Sequence, residues 1–226
     1  MTAGGPGGGQ AGPVRGAVLA GGGATRFEGR AKGLEKVGGR RILDRVVDAM
    51  TAALGGPPLL VANAPEAPGW RPDLRVIPDA RAGLGSLGGI YTAVLEAPAP
   101  VVVVAWDMPF VTPELIARLA DGLHGYDAFL PESGGPRGLE PLCAAYGPAC
   151  GDAIARQLEA GDLRAVGFHA AIRLGILPLA DVERLGHPAL LFLNVNTAAD
   201  LARADGLWPR HASSPSSAGR TPGRPR

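Results

Sequence analysis

Val18-Leu19-Ala20-Gly21-Gly22-Gly23-Ala24-Thr25-Arg26-Phe27, followed six residues after the arginine by Lys32, is the stretch on which the fold of this chain turns. An apolar run, Ala17 to Ala20, ends in three glycines. That pattern predicts a short buried strand opening into a loop. Glycines, lacking a β-carbon, let backbone N–H groups turn toward a ligand and approach it closely. Arg26 and Lys32 add two permanent positive charges beside that loop. A backbone cradle with two cations suits a triphosphate. The chain holds two lysines against twenty arginines, so a lysine at this point is not generic surface charge.

Two familiar glycine motifs fail here. A P-loop requires Gly-Lys-Ser/Thr, and that tripeptide does not occur in the chain. A dinucleotide fingerprint requires a third small residue where Arg26 stands. The segment from Phe27 to Gly39 also carries too many glycines for a crossover helix.

Strand and helix patterns alternate downstream. Strands are predicted at Val14–Ala20, Pro58–Ala62, Leu74–Ile77, Val101–Ala105, Tyr126–Leu130, Ile176–Leu179 and Leu190–Leu193. Helices are predicted at Arg41–Leu54, Leu87–Leu95, Thr112–Leu123, Ala149–Ala160 and Ala198–Ala204. Val101 to Val104 is a pure β-branched run, the mark of a strand buried on both faces. Thr112 with Pro113 and Glu114 is a helix start, and Gly161 a helix stop. Repeated βα units imply a single α/β domain with a doubly wound, mainly parallel sheet over residues 14–209. The flanks, residues 1–13 and 210–226, are rich in Gly, Pro, Ser and Arg and read as solvated tails.

In such sheets ligands bind beyond the carboxyl ends of the strands. Asn63, Asp79 and Asp107 each follow an apolar strand, as does the Gly21–Gly23 loop. Four strand ends are therefore expected on one rim. Asp107, in Trp106-Asp107-Met108-Pro109-Phe110, has the chemistry of a Mg²⁺ ligand, although an aspartate before a proline also starts turns. Asp79 opens a second glycine-rich loop, through Gly83, Gly85, Gly88 and Gly89 to Ile90. In Asn194-Val195-Asn196, alternation places both amides on one face. Thr197 with Asp200 forms a capping-box-like helix start.

Leu-Ala-Gly-Gly-x-x-x-Arg-Phe-x-Gly-x-x-Lys-Gly-Leu, from Leu19 to Leu34, resembles the signature of molybdenum cofactor guanylyltransferases, the MobA-type enzymes of the nucleotidyltransferase superfamily. Asp107-Met108-Pro109-Phe110 resembles that family's metal-binding motif. The loop after Asp79 resembles one ending Gly-Pro-Leu-Ala-Gly, with Ser86 and Gly88 departing from it. Asn194 to Leu201 resembles Asn-x-Asn-Thr-Pro-Glu-Asp-Leu, with Ala198-Ala199 in place of Pro-Glu. Ala31 replaces a common Asp, and Glu140 replaces Gln in a Gln-Pro-Leu-Cys segment.

The resemblance implies a Rossmann-like nucleotidyltransferase fold and transfer of GMP from GTP to the phosphate of molybdenum-bound molybdopterin, with release of pyrophosphate. It implies that Leu19, Ala20, Gly21 and Gly22 frame the base and phosphates, and that Asn63 and Asp79 meet the guanosine. Lys32 and Arg26 are then the charge-stabilising residues, Asp107 the Mg²⁺ ligand, and Asn194 and Asn196 hold metal, phosphates or second substrate. Arg137, Arg156 and Arg164 are candidates for balancing the pterin phosphate. The sister cytidylyl branch carries Leu-Ala-Ala-Gly and Asp in place of asparagine, so Gly21-Gly22 and the Asn pair favour guanine. Proteins that deliver molybdopterin and molybdoenzymes that receive the product are implied partners. A CTP- or sugar-phosphate-using relative and a non-catalytic nucleotide-binding module are the other readings; Lys32, Arg26 and Asp107 together argue against the last.

Composition sets bounds on these readings. The net charge is +1, which leaves no nucleic-acid footprint to expect. No apolar run is long enough for a membrane span, and residues 1–13 lack the features of a signal peptide. Cys143 and Cys150 make no disulfide framework, so a reduced cytoplasmic setting is expected. His124, His169, His187 and His211 stand apart, without triad or zinc spacing.

Overall fold

The computed structural model describes residues 13–21, 31–97, 99–136 and 138–212. Its spine is β6 (Val101–Ala105), in which every residue is buried. Successive side chains of a strand point to opposite faces, and here the split is visible in the core. Val102 and Val104 join one apolar cluster, Val101 and Val103 the other. The first cluster is closed by α1 (Ile42–Leu54) and α3 (Pro113–Gly122), the second by α2 (Gly85–Glu96) and α4 (Cys150–Glu159). The result is three layers, helices on both faces of one sheet.

That sheet has seven strands. With β1 (Arg15–Leu19), β4 (Leu59–Val61), β5 (Val76–Ile77), β7 (Ala128–Pro131), β8 (Cys143–Tyr146) and β9 (Leu174–Leu177), the order is β5-β4-β1-β6-β8-β7-β9. All neighbours run parallel except β8, which is antiparallel to both β6 and β7. A two-stranded hairpin, β2 (Lys36–Val37) and β3 (Arg40–Arg41), stands apart from it. Its turn is Gly38-Gly39, both at positive φ (56° and 76°), as a two-residue primed turn requires.

The predicted mainly parallel, doubly wound sheet is the observed one, and the predicted β6 matches residue for residue. Four local features differ from the sequence reading. Leu190–Leu193 is not a strand: Pro188–Leu191 forms a short helix, α6, with Pro188 at its first position. A four-residue apolar run does not separate strand from helix by itself, and the proline is the deciding signal. It is preceded by another helix, α5 (Leu179–Leu185), which the sequence reading missed. Strand β8 was missed as well, because Cys143-Ala144-Ala145-Tyr146 lacks a β-branched run. All four residues are buried, and the alanines fit between two larger-chained neighbours. The last helix, α7, extends from Ala198 to Ala212, well past the predicted Ala204 and into the segment read as a tail.

Helix α3 starts where Thr112 predicts. The Thr112 side chain accepts a hydrogen bond from the Leu115 N–H at 3.2 Å, and Pro113 takes the first helical position. Loss of such a cap costs about 1 kcal/mol. Thr112→Ala is therefore expected to lower Tm by about 2–4 °C in calorimetry, the range for a domain of this size, and to leave nucleotide binding unchanged.

Candidate active site

Strand order reverses at β1. The chain moves outward through β4 and β5, then returns to the other side of β1 as β6. In open α/β sheets a crevice opens at that switch point, beyond the carboxyl ends of the strands. Because β5, β4, β1 and β6 are parallel, the residues that follow them meet on one rim. These are Asp79, Asn63, Gly21 and Asp107, the four strand ends predicted to converge.

The exit of β1 is fixed by backbone bonds. The Ala20 N–H donates to the Val61 carbonyl at 2.8 Å, and the Trp106 N–H donates to the Leu19 carbonyl at 3.2 Å. Both bonds extend the ladders past the ends of the strands and hold the exit of β1 between its neighbours. Among the described residues, no atom would stand within 4 Å of a β-carbon on Gly21. Gly22 and Arg26, also expected in the site, lie outside the described residues, as does Arg137.

On the β4–β5 side, Asn63 and Asp79 lock to each other. The Asn63 amide donates to Asp79 Oδ2 at 2.7 Å, and the Asp79 backbone N–H donates to Asn63 Oδ1 at 2.8 Å. Asn63 is exposed and Asp79 half-buried. The next residue is pinned from behind: the Ala80 N–H donates to the Thr92 hydroxyl at 2.9 Å, and that hydroxyl donates to the Gly88 carbonyl at 2.8 Å. Thr92 is buried on α2 and was not singled out in the sequence. An isolated threonine in an apolar helix carries no signal of its own. Gly88 departs from the family pattern for a local reason, since a β-carbon there would sit 2.8 Å from Leu84 Cβ.

On the β6 side, Asp107 is 9% exposed. Its Oδ2 stands 3.9 Å from Lys32 Nζ. Lys32 opens a short 3₁₀ turn, Lys32–Leu34. Its ammonium donates to Asn196 Oδ1 at 2.7 Å. The Asn194-Val195-Asn196 segment is brought here by one backbone bond, from the Val195 N–H to the Asp107 carbonyl at 2.9 Å. Val195 is fully buried, and its two neighbours are only partly so, as alternation requires. Asn196 faces Lys32, whereas the Asn194 amide donates to the Phe192 carbonyl at 3.1 Å. The expected capping box forms too. Asp200 accepts from the Thr197 N–H at 2.9 Å and from the Asn196 N–H at 3.1 Å, and the Asp200 N–H donates to the Thr197 hydroxyl at 3.1 Å.

The remaining candidates lie elsewhere. Glu140 is buried beside the end of β6, where the Leu142 N–H donates to Glu140 Oε1 at 3.3 Å and the Leu142 carbonyl receives the Ala105 N–H at 2.8 Å. Arg164 is exposed and paired with Asp162 at 2.7 Å, and Arg156 is exposed on α4.

Mg²⁺ commonly takes one or two carboxylates and completes its shell with phosphate oxygens and water. Among the described residues no cluster of three or more His, Cys, Asp or Glu could hold a metal by protein ligands alone. A single buried carboxylate facing an open rim fits an ion that arrives with a phosphate chain. Burial raises the Asp107 pKa above the ordinary carboxylate value of 3.8, and the Lys32 ammonium opposes that shift. A second cation on the rim favours the ionised form further.

The raised pKa has a sign. The folded state binds the Asp107 proton more tightly than the unfolded chain does, so the stability it contributes is present below the unfolded value. It is lost as pH rises through the folded value. Asp107→Asn removes that loss. In thermal melts without nucleotide, the wild type is expected to fall behind the variant between about pH 4 and neutrality, the range above an ordinary carboxylate. A constant gap over that range would contradict it.

Comparison with known proteins gives the family. Residues 16–172 match the model of the MobA-like NTP transferase domain. A probable molybdenum cofactor guanylyltransferase of Pelotomaculum thermopropionicum is 35% identical over 190 residues, covering 84% of this chain and 90% of its own length. A molybdenum cofactor guanylyltransferase of Desulfosudis oleivorans is 30% identical, covering 85% of this chain and 94% of its own. The crystal structure of molybdopterin-guanine dinucleotide biosynthesis protein A from Archaeoglobus fulgidus superposes with a TM-score of 0.74 at 26% identity, covering 87% of this chain and all of that one. A topological switch point at β1/β6, a lysine–aspartate pair beside it and a matching family model over most of the sheet lead to one assignment: the chain belongs to the MobA-like NTP transferase family, and it is a nucleotidyltransferase.

Proposed function

We propose that this nucleotidyltransferase moves GMP from GTP to the phosphate of molybdenum-bound molybdopterin and releases pyrophosphate. The observation that carries the reading is the Asp107–Lys32–Asn196 chain at the mouth of the β1/β6 crevice, in a protein whose relatives carry the guanylyltransferase name. A phosphate oxygen of the acceptor attacks the α-phosphorus of GTP. The bond from that phosphorus to the bridging oxygen breaks, and the electron pair leaves with pyrophosphate. The attacking phosphate is already a nucleophile, so the protein supplies no base. Its work is positioning and charge stabilisation.

Each residue then has a part. The backbone at Leu19, Ala20 and Gly21 gives the nucleotide a close approach, and Gly22 and Arg26 belong to the same proposed loop. The interlocked Asn63 and Asp79 present a fixed carboxylate to the donor edge of guanine or to the ribose. Lys32, held by Asn196, stabilises charge that builds on the α-phosphate and the leaving group. Asp107 would hold Mg²⁺, which neutralises phosphate charge when bound. Asn194 and Asn196 face the side from which the acceptor arrives. Proteins that hand over molybdopterin and take up the dinucleotide product would meet this rim. No helix of the described residues is long and apolar enough to cross a membrane.

Nucleotide selectivity tests the reading. With Mg²⁺, GTP at a hundredfold excess over Kd is expected to stabilise the fold by about 2.7 kcal/mol. CTP, ATP and UTP at equal concentration should give markedly less, and Asp107→Ala should abolish the Mg²⁺-dependent part. A CTP preference would move the chain to cytidylyl transfer. Lys32→Ala should lower kcat by about two to three powers of ten, the scale for removing one charge-stabilising donor, with little change in Tm. Near-wild-type turnover in that variant would remove the mechanism.

A further inference from the structure

Helix α7 runs alongside the segment that begins at Lys32 and fixes it at both ends. At the near end, Asp200 accepts the Asn196 N–H, and Asn196 Oδ1 accepts from Lys32 Nζ at 2.7 Å. At the far end, the N–H of Gly38 donates to Asp205 Oδ1 at 2.7 Å. Trp208, about one helical turn further along, lies directly on the same glycine turn. A β-carbon on Gly38 would stand 2.1 Å from Trp208 Cδ1, and the positive φ at Gly38 already excludes most side chains.

Trp208 is itself held on two other sides. The Arg45 guanidinium sits 3.5 Å from its ring centroid, and Phe110 stacks on it at 5.7 Å. Arg45 also donates to the Val37 carbonyl at 2.9 and 2.5 Å and to the Gly38 carbonyl at 3.1 Å. One residue after Lys32, Gly33 lies so close to Trp106 that a β-carbon would stand 2.4 Å from its ring. Trp106 stacks in turn on Trp70 at 5.1 Å. The Lys32–Gly38 segment is thus wedged between an aromatic pair and α7. On the helix, Leu201, Ala204 and Trp208 recur at helical spacing and pack on the core cluster that includes Trp106 and Phe110.

We propose that α7 is a strap that sets the position of Lys32, with Asp205 and Trp208 as positioning residues that touch neither nucleotide nor acceptor. The proposal rests on reading Lys32 as the cation at the reacting phosphates. Its physical ground is that a lysine has a long, rotamer-rich stem, and an ammonium displaced by an ångström loses much of its effect on a developing charge. Asn196 fixes the ammonium itself. Asp205 and Trp208 fix the backbone from which the lysine reaches.

The chain contains only two lysines, which makes a test independent of turnover practical. The Lys32 side chain is 11% exposed, whereas Lys36 is exposed and serves as an internal control. Full-length wild type, Asp205→Ala, Asp205→Asn, Trp208→Ala and Trp208→Phe are treated with an amine-acylating reagent well below their melting temperatures. Modification at the two lysines is then quantified by peptide mass spectrometry. The alanine variants are expected to raise the Lys32-to-Lys36 labelling ratio about tenfold, as local opening of a packed segment would. Asp205→Asn keeps an acceptor for the Gly38 N–H, and Trp208→Phe keeps an aromatic ring, so both should stay near wild type.

In steady-state transfer the alanine variants should lower kcat about tenfold while KM for GTP stays within about threefold. In a Lys32→Ala background, Asp205→Ala should cost nothing more, because the coupling runs through the lysine. An unchanged labelling ratio, an unchanged kcat or full additivity with Lys32→Ala would each overturn the strap. Should Trp208→Ala fail to fold, the exposed Asp205 carries the test. Wild-type protein that transfers no GMP would count against the proposed reaction, and the labelling ratio alone would then decide the strap.

Discussion

The parallel pairing of β1 with β6 is the constraint from which the site follows. The register sets Leu19 beside Ala105, so both strands end at the same height. The glycine loop and Asp107 therefore emerge side by side. A shift of one residue would turn every side chain of β1 to the other face and mix the two core clusters. Register here is fixed by burial on both faces, since Val18 packs with Val102 and Val104 while Ala17 and Leu19 pack with Val101 and Val103. The chemistry thus depends on apolar residues that never meet a substrate. Their packing determines which backbone groups reach the rim, and in what order.

A buried carboxylate is costly without a partner. The fold accepts that cost at Asp107 and offsets it only in part, with Lys32 at 3.9 Å. A shorter and better-hydrogen-bonded pair would be more stable but less ready to accept a cation. Lys32 makes its close contact with the neutral amide of Asn196. That arrangement orients the ammonium without neutralising it. Under the proposed reaction both charges would then be available to a phosphate chain and its metal, as distinct from a structural ion pair. Elsewhere in the molecule, the ion pairs Arg71–Asp73 and Arg173–Asp127 are short and direct, 2.8 and 2.7 Å, and hold their carboxyls below the ordinary range.

Much of the site was legible because its polar residues follow strands of simple composition. Val101 to Ala105 can be nothing but a buried strand, and Asp107 is read from where it ends. The same holds for Asn63 and Asp79. What was not legible has specific causes. Strand β8 is built of small residues whose strand character comes from the neighbours they fit between. Leu190 to Leu193 shows an apolar run with no period long enough to separate strand from helix. The Lys32–Asn196 contact joins residues 164 apart in sequence, and no local pattern encodes it. Asp205 and Trp208 carry no motif, and their meaning lies wholly in the turn they touch.

The misread segment before Asn194 is instructive because the site did not depend on it. Leu190 and Leu191 are helical rather than extended, yet Asn194 and Asn196 still flank the end of β6. They stand there because the Val195 N–H bonds the Asp107 carbonyl, which attaches the late segment to the end of β6 whatever precedes it. Val195 is fully buried beneath that bond. The same attachment sets Asn196, the partner of Lys32, just ahead of α7, where the Asp200 box holds its N–H. One short stretch therefore joins three functions: it extends the rim, orients a cation and caps a helix. A change at Val195 would be felt in all three, although its own side chain has no chemistry.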